Sequence, residues 1–215
     1  MPEKLKIAVM ASGRGSNFRS LALSCLEESF PAAISLLATD NPEAGALYIA
    51  DEMGIETAVV DCGGRRGSMT PDSSSKLAEL FRKRGIGLVC LAGFMRIVKG
   101  ELMRIYSLRM LNIHPALLPS FKGLHGQRQA LEYGVRYSGC TVHFVDEGID
   151  TGPIIIQKVV PVLQEDTEET LSARILKEEH RAYPEAVRLF AENRLRIEGR
   201  RVFIENEKRR NSDAD

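Results

Sequence analysis

The sequence predicts an α/β fold: a mostly parallel, twisted sheet with helices on both faces, completed by a C-terminal antiparallel strand pair, a long helix and a hairpin. Two observations predict it. Through the first half, apolar runs rich in β-branched residues alternate with segments of helical period, and that alternation builds right-handed βαβ units on a parallel sheet. After residue 107 the rhythm changes to three strand-like runs, LRMLNIH, GCTVHFVD and PIIIQKVVPV. A further sign is that IAVM and LVCLA are apolar throughout, as suits strands covered on both faces.

Taken in order, LKIAVMA leads into a helix over 16–28, AISLLAT into one over 43–53, TAVV into one over 74–84, and GLVCLAG comes next. The turn DEGIDTGP predicts antiparallel pairing of the strands beside it. A helix over 167–192 opens on DTEET, whose carboxylates suit the positive end of a helix. LRIEGRRVFI reads as a hairpin turning at Glu198 and Gly199. DCGGRRGSMTPDSSS, 61–75, is the one long loop, and its length and glycines mark it as mobile or functional. One domain over 1–203 is expected, with 204–215 a charged, disordered tail that has nothing to bury.

A chain of 215 residues can bury a core of its own. Lys plus Arg and Asp plus Glu both number 29, so no overall field attracts a polyanion. This argues against a nucleic-acid or membrane-surface protein and leaves a local anion site open. No apolar run is long enough for a signal peptide or a spanning helix, which predicts a cytoplasmic location. Cys25, Cys62, Cys90 and Cys140 form no C-x-x-C pair and read as reduced, mostly buried residues. No His, Cys, Asp or Glu set falls at metal-ligand spacing, so no metal is expected.

Four stretches could carry chemistry. SGRGSN, 12–17, lies between the first strand and a helix, where the N–H groups of Gly15, Ser16 and Asn17 would attract a phosphate. Phe18 stands where a dinucleotide fingerprint wants its third glycine, and no Walker lysine is present after it. Such turns also occur with no ligand. In NIHPALLPSFKGLH, Asn112 and His114 share one face of an extended segment, and Pro115 and Pro119 stiffen the adjoining loop. An amide can donate to an oxyanion while an imidazole handles a proton; alternatively the pair merely closes a strand end. In HFVDEGIDTGPI, Asp146, Glu147 and Asp150 form an acidic turn, either a solvated tip or, beside His114, a group that orients the imidazole and raises its pKa. LAGFMRIVKGELM offers Met95 and Arg96 as walls for a flat ring, or simply a strand leading into a helix. His143 and His180 read as packing residues, and His125 is unassigned.

Together, SGRGSN, LAGFMRIV, MLNIHPALLPSFKGLHGQRQALEYG and TVHFVDEGIDTGPIIIQ resemble the folate-dependent phosphoribosylglycinamide formyltransferases from about residue 5 to 200. The resemblance implies a Rossmann-like formyltransferase fold, with a nucleotide-binding half over about 1–107 and a folate-binding, catalytic half over 108–203. It implies formyl transfer from 10-formyltetrahydrofolate, as co-substrate, to the amine of glycinamide ribonucleotide, by a monomer or homodimer with small-molecule substrates only. Asn112, His114 and Asp150 match the catalytic set. Gly15, Ser16, Asn17 and Glu179 match the ribonucleotide site. Met95, Arg96, Ile97 and Val98, with Asp146, Glu147, Gly148, Ile149 and Asp150, match the folate site. Two positions depart from the family pattern: serines at 73–75 replace an arginine that meets the folate tail, where Arg65 or Arg66 could substitute, and Leu176 replaces a polar residue near the phosphate. The rival readings are a formyltetrahydrofolate hydrolase, a methionyl-tRNA formyltransferase, an NAD-dependent oxidoreductase and a non-catalytic nucleotide-binding module. An additional regulatory domain, a tRNA-binding domain, or a third glycine with an acidic residue ending the second strand would mark the first three; the fourth would leave Asn112, His114 and Asp150 unexplained.

Overall fold

A computed structural model describes residues 3–63 and 67–206. Strands β1 (Leu5–Met10), β2 (Ala32–Thr39), β3 (Thr57–Val59), β4 (Leu88–Leu91) and β5 (Met110–His114) run parallel. The intervening helices are α1 (Ser16–Leu26), α2 (Gly45–Glu52), α3 (Pro71–Lys83) and α4 (Gly100–Ile105). Helix α5 (Gly126–Tyr133) then precedes β6 (Tyr137–Phe144), which is antiparallel to β5 and to β7 (Ile154–Pro161). Helix α6 (Glu168–Ala191) leads to the hairpin β8 (Leu195–Glu198) and β9 (Arg201–Ile204). Among the described residues the sheet order is β3-β2-β1-β4-β5-β6-β7-β9-β8.

The unbroken apolar runs have a direct cause. Successive side chains of a strand point to opposite faces, and both faces are covered. Ile7 and Val9 join the cluster under α1, α2 and α6, whereas Ala8 and Met10 join the one under α3 and α4. Leu88 and Cys90 divide from Val89 and Leu91 in the same way. Helix α6 is pinned beneath the central strands by the buried Tyr183, whose hydroxyl lies 2.8 Å from the Leu91 carbonyl and 3.1 Å from that of Leu111. Pro184 sits inside α6 and brings no N–H for the carbonyl of His180. The Ser20 hydroxyl of α1 donates to that carbonyl instead, at 2.9 Å, and so ties the two helices together.

Besides shifts of one or two residues at the ends of α1, α2 and α6, four boundaries differ from the sequence reading. Helix α3 begins at Pro71 rather than 74, because the Thr70 side chain accepts from the Ser73 N–H and Pro71 takes the first helical position. The loop expected over 61–75 therefore ends at Thr70. The hairpin turns at Gly199 and Arg200, since Glu198 still pairs with Arg201. Strand β9 runs to Ile204, one residue into the expected tail; residues 207–215 lie outside the described residues. Helix α5 was not signalled, because His125 occupies its N-cap in a left-handed conformation and offers no side-chain cap. Among the described residues, no helix is long and apolar enough to cross a membrane.

Candidate active site

The strand order reverses between β1 and β4: β1 has β2 on one side and β4 on the other. Open α/β sheets bind ligands in the crevice outside the strands' carboxyl ends at such a point. Three segments meet there: the loop after β1, the loop after β4, and the end of β5.

The β1 loop leads directly into α1. Gly15 has φ +81°, and a Cβ there would come within 2.8 Å of Ala46 on α2, so glycine is required. Ser16 and Asn17 open α1, whose first N–H groups have no partner within the helix and whose first turn carries no acidic residue. Glu179 of α6 closes this site from below: Asn17 Nδ2 donates to its Oε2 at 2.7 Å. With Glu179 only 6% exposed, burial raises its carboxyl pKa, partly offset by the Asn17 bond. Leu176, a turn earlier on α6, is half-buried.

The loop after β4 is more divided. Met95 is 52% exposed and presents its side chain, whereas Val98 is 3% exposed and packs into the core beside Leu102 and Met103. Arg96 turns away as well: its Nε donates to Asp40 Oδ2 at 2.6 Å. Asp40 also accepts from Ser12 Oγ at 2.5 Å, and Ser12 Oγ in turn accepts from the Met95 N–H at 2.9 Å. The carboxylate beyond β2 thus binds the β1 loop to the β4 loop. Ile97 exchanges backbone hydrogen bonds with Gly67 and Met69. Ser73 and Ser74 point into the protein, where Ser74 Oγ donates to the Lys99 carbonyl and accepts from the Leu102 N–H. Ser75 is exposed, and Arg65 and Arg66 lie outside the described residues.

At the end of β5, Asn112 and His114 do share a face, and Asp150 reaches both. His114 Nδ1 lies 3.3 Å from Asp150 Oδ2, and Asn112 Nδ2 donates to Asp150 Oδ1 at 3.3 Å. Asp150 adopts φ +50° in the turn after β6. A Cβ on Gly152 would fall 1.8 Å from the Phe144 carbonyl, so only glycine lets that turn fold back over β5. The rest of the turn is braced by Asp146, which accepts from Thr151 Oγ1 at 2.6 Å and from the Gly148 N–H at 3.1 Å; Glu147 and Ile149 are exposed. Residues 121–123 seat on the pair: His114 Nε2 donates to the Phe121 carbonyl at 2.8 Å, and the Gly123 N–H donates to Asp150 Oδ2 at 2.8 Å.

The expected rise in the His114 pKa does not occur. Its two nitrogens each face an acceptor, an arrangement that favours the imidazolium. Burial of a ring only 3% exposed outweighs both contacts, and the net direction is downward. Asp150 shifts downward too, against its burial. His143, expected as a packing residue, belongs to this cluster, with Nε2 at 3.2 Å from Asn112 Nδ2. It stands directly opposite Asn112 in the β5–β6 register, which only the unforeseen antiparallel pairing could reveal. Asp40 follows the second strand, and its bridge between the two loops depends on contacts that no local spacing shows.

A parallel nucleotide-type sheet bearing an Asn, His and Asp cluster at its switch point defines a class, and the chain belongs to it: the formyl transferase family model matches residues 5–187. The chain is 46% identical to a glycinamide ribonucleotide transformylase of Symbiobacterium toebii, with TM-score 0.90 and 96% of each chain covered. It is 41% identical over 196 residues to the trifunctional purine biosynthetic protein adenosine-3 of Bos taurus, covering 91% of this chain but 19% of that protein's length. A formyltetrahydrofolate deformylase of Pseudomonas syringae shares the fold at TM-score 0.87, with 24% identity over 95% of this chain and 67% of that one.

Proposed function

We propose that this protein transfers the formyl group of 10-formyltetrahydrofolate to the amine of glycinamide ribonucleotide, giving formylglycinamide ribonucleotide in purine synthesis. The observation that carries the reading is the convergence of Asn112, His114 and Asp150 beside a helix start built for a phosphate. The substrate phosphate lies against Gly15, Ser16 and Asn17, and Glu179 meets the ribonucleotide's hydroxyls. The folate ring lies against Met95 and Ile97 and the turn from Asp146 to Asp150; Arg96 and Val98 contribute backbone, since their side chains face inward. The amine nitrogen attacks the formyl carbon, Asn112 donates to the resulting oxyanion, and the bond from that carbon to the folate nitrogen breaks. His114 passes the proton lost by the amine toward that leaving nitrogen, with Asp150 balancing the charge on the imidazole. Removing one oxyanion donor of this kind costs on the order of 100- to 1000-fold in turnover.

The same reading makes 1–203 one domain with a nucleotide-binding and a folate-binding half, working in the cytoplasm as a monomer or homodimer. Purified protein should consume 10-formyltetrahydrofolate only when glycinamide ribonucleotide is present. Equal consumption without it would overturn the transferase reading in favour of a hydrolase.

A further inference from the structure

We propose that His143 is a positioning residue for the transfer, holding the Asn112 amide with its nitrogen turned toward the reacting atoms. The inference rests on the formyl-transfer reading and adds a fourth member to its machinery.

The His143 ring is 2% exposed on β6. Its Nδ1 lies 2.7 Å from the Phe144 carbonyl. A carbonyl only accepts, so Nδ1 carries the hydrogen, and in the neutral ring Nε2 is left as a bare lone pair. That lone pair faces Asn112 Nδ2 at 3.2 Å, an amide nitrogen that only donates. Asp150 Oδ1, the second neighbour of Nδ2 at 3.3 Å, is likewise an acceptor. Turning the amide over would set Asn112 Oδ1 against a lone pair and a carboxylate at once. The amide therefore has one allowed orientation, set by two acceptors.

The two acceptors differ in what they leave free. His143 is locked by the Phe144 carbonyl and keeps one Asn112 hydrogen permanently. Asp150 also faces His114 and the Gly123 N–H, so the hydrogen it shares with Asn112 is the one for which an incoming oxyanion competes.

The test compares His143→Phe, which removes the acceptor, with His143→Gln, whose side-chain oxygen can take the place of Nε2. His143→Phe should lose kcat by on the order of 10- to 100-fold, because a donor is misaligned rather than deleted. KM for both substrates should stay within about twofold, and His143→Gln should recover most of the loss. Wild-type kcat in His143→Phe, or equal losses in the two variants, would overturn the proposal. Nitrogen-15 NMR of the wild-type ring gives a readout that needs neither substrate nor a variant that folds: Nδ1 should resonate as protonated and Nε2 as bare. A ring protonated at Nε2 at neutral pH overturns the proposal. Wild-type protein that ignores glycinamide ribonucleotide would sink the transferase reading instead, and the NMR result would still stand on its own.

Discussion

Asp150 combines a left-handed backbone with a charge, and the two can be separated by substitution. Asparagine tolerates φ +50° better than most residues, so Asp150→Asn keeps the turn and removes the carboxylate. Turnover should fall on the order of 100- to 10,000-fold while the thermal transition stays near that of wild type. The pH profile is a second readout. Burial lowers the His114 pKa and Asp150 raises it; without the charge only the Phe121 carbonyl opposes the lowering, so His114 titrates at a more acidic pH. The acid limb of kcat/KM should move to lower pH in whatever activity remains, and a limb that stays in place would assign it to another group. Spacing put Asn112 and His114 on one face and Asp150 in a glycine-flanked acidic turn, but only the family resemblance joined the three into a set. His143 and the inward turn of Arg96 were not legible in the sequence. The first depends on a strand register, the second on Asp40, 56 positions away.

Between elements, two contacts tie together the loops and helices around the candidate site. The Ser20 hydroxyl replaces the donor that Pro184 cannot supply to the His180 carbonyl. Ser20→Ala strands that carbonyl between α1 and α6 and should cost about 1–3 kcal/mol of stability, measured by urea unfolding. The Asp40 carboxylate ties Ser12 in the loop after β1 to Arg96 in the loop after β4. Asp40→Ala should therefore raise KM for both substrates, whereas a change at the exposed Met95 should raise KM for folate alone. Its stability cost should be about 1.5–3 kcal/mol, the range of a charged hydrogen bond. If only one KM responds, Asp40 serves one loop and does not couple them. Strand and helix identities were largely readable here, because hydrophobic period decides them. Starts were less so: Thr70 capped α3 earlier than its apolar spacing shows, and α5 begins at a histidine with no capping side chain.

For the molecule as a whole, the same burial that builds the site sets how stability depends on pH. The parallel half was foreseeable from strands apolar on both faces; the antiparallel joining of β5 to β6, which carries Asp150 back over His114, came only with the structure. That joining buries His114, and His180 on α6 is lowered by burial too. Both histidines have folded pKa values below the unfolded one. Below about pH 6.5 the unfolded chain therefore binds more protons than the folded one, and stability falls as the solution is acidified. Glu179 has the opposite sign: its folded pKa is raised by burial, so it binds a proton more tightly when folded. The cost of its buried charge is present at neutral pH and is relieved as pH falls toward and below the raised value. Between about pH 6.5 and 4.5 the terms compete, and Glu179 flattens the decline that the histidines impose. Glu179→Gln removes the flattening term. The variant should melt higher than wild type at pH 7.5, by roughly 2–4 °C per kcal/mol relieved, and lose that advantage progressively as the pH is lowered to about 5. It should also bind glycinamide ribonucleotide more weakly, by roughly tenfold or more, through loss of a charged hydrogen bond. Parallel curves of melting temperature against pH for the two proteins would show that Glu179 ionises normally in the fold, and the stability sacrificed to hold the ribonucleotide would have to be sought elsewhere.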